Sequence, residues 1–482
     1  MPMQRLVISL VTLVAITSCL SSATAGAATP EPESARLRTL ASALAASGSG
    51  AEATFWKEVA AVHTPLIEAI PGRPRDALYT FVWRAEPGQD ALNVLFNGWF
   101  PLHRRTGFDP FTRLGNSDVW YTSYVLPRTA HLRYELIAPK GWHAAPDRVS
   151  DFAMDGTEYE TFHDPLNPRL MHWNGSVVSY AEGPGATTSR YLHKEPGIPT
   201  GHIETLDVSS RILDNRRTLR IYLPPGYASG RRDYGLLLAY DGNQYTSAVP
   251  TPTILDNMID ARLIPPVIAV FLESPDRDVE FPPNPAFQRF ISEELLPQLR
   301  SRYHISRDPR RNVVLGSSYG GLAATYTAFV HPELFGNVIS QSGSYAWSPP
   351  PTKLSGPPRS AGAPPAPPGA TGAASTASDP PGVPPAPNAA GPTAFPRGTN
   401  PNSDWLIERI AEAPREKIRF HLDVGDWEGG SMVLSNRLLR SVLTGKGYEV
   451  TFDETDGTHS SFYWMLRLPA GLQAVLGTSD AH

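Results

Sequence analysis

Val313-Val314-Leu315-Gly316-Ser317-Ser318-Tyr319-Gly320-Gly321-Leu322-Ala323-Ala324 is the stretch that decides the fold. Its aliphatic, β-branched start reads as a buried strand, and its alanine-rich end reads as the start of a helix. Between them lies Gly-x-Ser-x-Gly, from Gly316 to Gly320. A chain that turns sharply from strand into helix needs glycines on either side of the serine to make room. Ser318 would then project from the strand end, ahead of helix N–H groups that can meet a developing oxyanion. A Gly/Ser-rich turn without chemistry fits the same five residues, so the reading rests on residues further along the chain.

Downstream of the serine come an acid and then a histidine. Asp426 and Glu428 lie in Gly425-Asp426-Trp427-Glu428-Gly429-Gly430, after the strand-like run 418–424. His459 closes Asp456-Gly457-Thr458-His459, after the strand-like run 448–452. Serine, acid, histidine is the chain order of α/β-hydrolases. The set suits acyl transfer to water: His459 takes the Ser318 proton, and an acid orients the imidazole. The two acids share one turn, and spacing alone does not choose between them.

Upstream, buried strands at 234–240 and 267–272 alternate with a helix at 287–299, in which Pro297 should force a kink or an early end. This predicts a mostly parallel sheet with helices on both faces over residues 200–480. Further upstream the period is two: Leu78, Thr80, Val82 against Tyr79, Phe81, Trp83, then runs near 92–96, 119–123 and 132–136. Short strands separated by Gly, Pro and Asp predict an immunoglobulin-like β-sandwich over 76–195. Apolar residues at helical spacing (Leu37, Leu40, Leu44; Phe55, Trp56, Val59) predict one or two short helices over 31–70. Sixteen of the 49 prolines fall between Pro349 and Pro396, among Ala, Gly and Ser. That composition cannot bury enough apolar surface to order itself, so 349–400 is expected to be a disordered insertion.

At 482 residues with 41% hydrophobic content, the chain can form two or three domains with real cores. A net charge of -5 without a Lys/Arg-rich run argues against nucleic-acid binding. Residues 1–27 have a basic start, an apolar core and a small-residue cleavage zone, which predicts an export signal and a periplasmic or secreted product. The apolar core is too short to span a bilayer. The one cysteine, Cys19, sits in Ile16-Thr17-Ser18-Cys19, which resembles a lipobox and would make it a lipid anchor. The preferred alternative is a small residue in a leader that is discarded whole.

Over residues 76–170 and 200–475 the chain resembles the enterochelin (ferric enterobactin) esterases, within the esterase D-like branch of α/β-hydrolases. The resemblance is carried by Thr80-Phe81-Val82-Trp83-Arg84, by 114–121, by Asp164-Pro165-Leu166-Asn167-Pro168 and by Tyr240-Asp241-Gly242. Further pieces are Arg277 with Glu280, Phe281 and Asn284, then 316–321, 425–428 and Gly457-Thr458-His459. It implies a triad of Ser318, His459 and Glu428, the acid standing three places after a glycine, and an oxyanion hole from the backbone N–H groups of Tyr319 and Asn243. It implies a ferric catecholate trilactone as substrate, with no cofactor and no resident metal. Such a complex is a trianion and calls for cations, first Arg277 and, more weakly, Arg467. A surface arginine paired with Asp278 or Glu280 is the other reading of Arg277. Trp427 and Asp241 complete the implied substrate contacts, although Asp241 reads more readily as the carboxylate that holds its own turn. Thr458 departs from the family's second glycine. Two rivals remain: an exported carbohydrate esterase, with Trp99 and Phe100 stacking on sugar rings, and a siderophore-binding protein without catalysis.

Overall fold

The computed structural model describes residues 34–46, 50–85, 95–98, 109–140, 148–154, 157–173, 176–227, 233–349 and 404–477. The expected leader, Cys19, the Trp99–Phe100 pair and nearly all of 349–400 lie outside the described residues.

Two helices, Ala35–Ala45 and Ala51–Val62, open the described chain. Ser34 caps the first by accepting from the Leu37 N–H at 3.2 Å. Leu37, Leu40, Phe55, Trp56 and Val59 pack with Val82 and Val119 of the following sandwich. All its strands are antiparallel. One sheet runs Leu66–Ala69, Asp76–Arg84, Val119–Pro127, Thr112–Arg113. The other centres on His131–Pro139, flanked by Ser176–Glu182 and Leu95–Gly98, with the hairpin Arg148–Met154/Thr157–Phe162 beside it. Tyr79, Phe81 and Trp83 face Leu132, Tyr134 and Leu136 across the sandwich. Val82 points the other way, under the helices. Strand 76–84 is therefore covered on both faces, which is why both of its alternating sets are mostly apolar.

The second unit is an eight-stranded sheet in the order His202–Ser210, Asn215–Leu223, Val267–Leu272, Gly235–Tyr240, Asn312–Ser317, Asn337–Gln341, Arg419–Gly425, Glu449–Thr455. The first two strands pair antiparallel with each other and the second with the sheet beyond it; the other six run parallel. Strands 235–240, 267–272, 312–317 and 337–341 are buried throughout, as expected where helices cover both faces. One layer holds 285–302, Tyr319–Val330, Trp405–Glu412 and Gly430–Gly445; the other holds Thr251–Asp260 and Ser461–Leu476. This is the α/β-hydrolase architecture with a sandwich in front of it.

Pro297 does not end its helical run, which continues to Arg302. The turn before it widens to a π-helix, Phe290–Leu295, and Pro297 enters the first turn of Leu296–Arg302. The widened turn accommodates a residue with no N–H to give. The rings of Trp347 and Trp405, one on each side of the Pro-rich stretch, meet edge to face at 6.0 Å. Among the described residues no helix is long and apolar enough to cross a membrane.

Candidate active site

Ser318 sits where strand 312–317 turns into helix 319–330, with φ 55° and ψ -121°. A non-glycine residue there costs of order 1–3 kcal/mol and persists because the surroundings fix it. Its N–H donates to Gln341 O at 2.9 Å; its C=O accepts from Leu322 and Ser344 N–H groups at 3.1 and 3.0 Å. A Cβ on Gly316 would lie 2.2 Å from the Gly320 carbonyl oxygen, so the bend requires glycine there. The Ser318 side chain is nearly buried, and its Oγ lies 3.2 Å from Ser344 Oγ.

Strand 419–425 ends in the turn that carries Glu428. The Glu428 side chain is fully buried, yet each oxygen is matched by donors. Oε1 accepts from Gly425 N–H at 2.7 Å and from Ser342 Oγ at 2.6 Å, and Oε2 lies 2.8 Å from His459 Nδ1. A carboxylate only accepts, so Nδ1 bears a proton, and in the neutral ring Nε2 carries the lone pair. Trp464 Nε1 donates to Ser342 Oγ at 2.8 Å, which leaves the Ser342 hydroxyl proton for Glu428. The Trp464 ring also meets His459 edge to face at 5.1 Å. Between Glu428 and Ser318 runs the bend 342–344, hydrogen-bonded to both through Ser342 and Ser344. Asp426 is exposed as a residue, but partial desolvation of its carboxyl group, a hydrogen bond to Glu454, and the Glu454 and Asp456 charges push its pKa up to about 6.

Tyr319 is the first residue of the elbow helix, the end whose dipole favours negative charge. The Asn243 N–H donates to Glu273 Oε2 at 2.7 Å, so in this structure a carboxylate sits where the resemblance puts an oxyanion. Burial, then the nearby Asp241 charge, raise the Glu273 pKa against the pull of the Asn243 N–H, Arg220 and Arg277. Asp241, at φ 55°, takes Arg277 in a bidentate pair: Nε to Oδ1 at 2.7 Å and Nη2 to Oδ2 at 2.8 Å. The partner of Arg277 is thus Asp241, and not Asp278 or Glu280. Glu280 is committed elsewhere, to a buried bidentate pair with Arg217 at 2.7 and 2.8 Å. Burial alone would lower the Arg277 pKa, but Asp241 holds it above the ordinary arginine value. Asp241 and Glu273 offset the charges of Arg277 and Arg220, and Asp278 adds a further negative charge within reach of Arg277 and Tyr319.

Trp427 packs against the sandwich core, and Arg467 is paired with Asp453. Sequence reasoning missed Ser342, Ser344, Trp464 and Glu273. The only local hint was Ser342-Gly343-Ser344, a Gly/Ser bend directly after a buried strand. Among the described residues no cluster of three or more His, Cys, Asp or Glu could hold a metal.

A putative-esterase family model matches residues 210–475, and one for the N-terminal part of enterochelin esterases matches 78–191. The chain is 30% identical to the iron(III) enterobactin esterase of Dickeya dadantii (strain 3937), covering 63% of this chain and 74% of that one. It is 25% identical to the iron(III) salmochelin esterase of Escherichia coli O6:H1, over 88% of this chain and 93% of that one. A crystal structure of the enterobactin esterase from Shigella flexneri in the presence of enterobactin superposes with a TM-score of 0.63 at 22% identity. That match covers 88% of this chain and 97% of the other.

Proposed function

Because the chain belongs to the enterochelin esterase family, we propose that it hydrolyses the trilactone ester bonds of ferric catecholate siderophores through Ser318, His459 and Glu428. The observation that carries the mechanism is the 2.8 Å contact between His459 Nδ1 and the buried Glu428 carboxylate. It fixes the tautomer in which Nε2 can accept a proton. Ser318 Oγ attacks the ester carbonyl while its proton passes to Nε2. The tetrahedral oxyanion is met by backbone N–H groups at the elbow. Collapse breaks the ester C–O bond, and His459 returns the proton to the departing alkoxide. Water, deprotonated by His459, then cleaves the acyl-Ser318 ester and releases the acid. Opening the trilactone frees the three catecholate arms from the ring that preorganises them, and cleavage of the remaining esters separates them, which weakens their hold on iron.

Arg277 is the proposed contact for the ferric complex: Asp241 engages Nε and Nη2, and no described residue engages Nη1. With residues 1–27 as an export leader, the substrate would be met outside the cytoplasm. The charge balance around the serine supports a second reading, a neutral ester such as a feruloylated or acetylated sugar. Mass analysis of products decides between them. Ferric and iron-free trilactones and feruloylated sugars are each incubated with the protein and with Ser318→Ala. Linearised catecholate products from the wild type alone support the proposal; turnover confined to sugar esters overturns it.

A further inference from the structure

Three contacts between the hydrolase and sandwich units fall within three residues of Glu428 or His459. Trp427, next to Glu428, packs against the core that holds Tyr79, Phe81 and Tyr134. Asp456, three residues before His459, accepts a hydrogen bond from Thr129 Oγ1 of the sandwich. Phe462, three residues after, sits against His131 and Tyr180, with ring centres 6.3 and 6.1 Å away. The two loops are also tied to each other. The Trp427 N–H donates to Gly457 O at 3.0 Å, and the Asp426 N–H donates to Thr455 O at 3.0 Å. A Cβ on Gly425 would lie 2.3 Å from the Gly457 carbonyl oxygen, so neither loop can shift far without the other. Ser318 is anchored differently, from within the hydrolase unit alone, by Gln341 of the neighbouring strand, Leu322 of the elbow helix and Ser344 of the bend.

From this geometry we propose that the sandwich is a positioning element of the esterase. Through Trp427, Thr129 and the seat for Phe462, it sets where the Glu428–His459 pair stands relative to Ser318. The inference rests on the catalytic roles proposed for Ser318, His459 and Glu428 and extends them: nucleophile and base belong to one unit, but the base is held in place partly by the other. Proton transfer is steeply sensitive to such placement, a displacement of about 1 Å lowering the rate by up to about 10²-fold. Trp427 and Thr129 act through Glu428 and His459, as positioning residues. If the sandwich served only to bind siderophore, a small ester would not feel their loss.

The test uses the full chain, with rates expressed per active site titrated by a fluorophosphonate, so that misfolded protein is not counted. Trp427→Ala, Trp427→Phe and Thr129→Val are compared on p-nitrophenyl acetate and on a ferric trilactone. Expected is an equal fall in kcat on both substrates: about tenfold or more for Trp427→Ala, less for Thr129→Val, and largely restored in Trp427→Phe. KM for the trilactone should stay near wild type. If Trp427→Ala does not fold, the other two variants carry the comparison. A rise in trilactone KM with small-ester kcat intact would overturn the proposal, as would unchanged kcat throughout. Failure of the catalytic reading looks different: Ser318→Ala would then hydrolyse the small ester as fast as wild type.

Discussion

Glu428→Gln exchanges one carboxylate oxygen for an amide nitrogen in a site where the partners dictate its orientation. Gly425 N–H and Ser342 Oγ both donate to Oε1, at 2.7 and 2.6 Å. Turning the new NH₂ toward them would set donor against donor in a fully buried site, costing about 1–3 kcal/mol for the Gly425 N–H alone. The glutamine oxygen therefore keeps those partners, and its NH₂ faces His459 Nδ1. The imidazole must then accept at Nδ1 and carry its proton on Nε2, the tautomer that cannot take a proton from Ser318. In a serine-protease triad the equivalent exchange lowers kcat about 10⁴-fold, or about 5 kcal/mol of barrier. The assay is steady-state hydrolysis of a trilactone and of p-nitrophenyl acetate, with circular dichroism to confirm the fold. A loss of that order on both substrates, with KM little changed, is expected. A loss below about tenfold would refute the role given to Glu428.

Asp426→Asn is expected to leave kcat close to wild type, since Glu428 and not Asp426 meets His459. Asp426 has a folded pKa raised to about 6, so the folded state binds its proton more tightly than the unfolded chain does. Its ionisation thus destabilises the fold as pH rises from about 4 through 6. Thermal unfolding should show Asp426→Asn more stable than wild type at pH 7.5 and equal to it near pH 4; a constant difference across that range would contradict the cause. Arg277→Gln should raise KM for the ferric trilactone about tenfold or more, the worth of a charge-assisted hydrogen bond, and leave KM for p-nitrophenyl acetate unchanged. Equal effects on both would move the siderophore contact elsewhere. Glu273→Ala frees the Asn243 N–H and should raise kcat on p-nitrophenyl acetate; an unchanged or lower kcat would remove Asn243 from the oxyanion hole.

The elbow was legible because it is local: strand, bend and helix are written within twelve consecutive residues, and the bend needs glycine at Gly316. The serine–acid–histidine order and the buried parallel strands were legible too, since each strand is a short apolar run. Choosing Glu428 over Asp426 was not possible from spacing, because two acids in one turn differ only in which way they point. For Arg277, sequence offered Asp278 or Glu280 as ion-pair partners beside the reading as a siderophore contact, but the fold brings it to Asp241, 36 positions away. Glu280 was unavailable because Arg217 had already claimed it. The packing of Trp427, beside the acid, against the sandwich core joins two units distant in sequence, so no local pattern announces it. Glu273 follows a strand with no motif of its own, and only the turn at Asn243 gives it a role. Helix 461–476 was obscured by Pro469 inside it, and helix 430–445 by its Gly and Ser start.

The most direct measurement is rapid-quench mass spectrometry of the protein mixed with a ferric trilactone. An acyl adduct of one opened trilactone chain should appear on the peptide containing Ser318, build up before steady state, and be absent in Ser318→Ala. Catalytic turnover with no adduct, or with an adduct on another residue that persists in Ser318→Ala, would contradict the assignment of Ser318 as nucleophile.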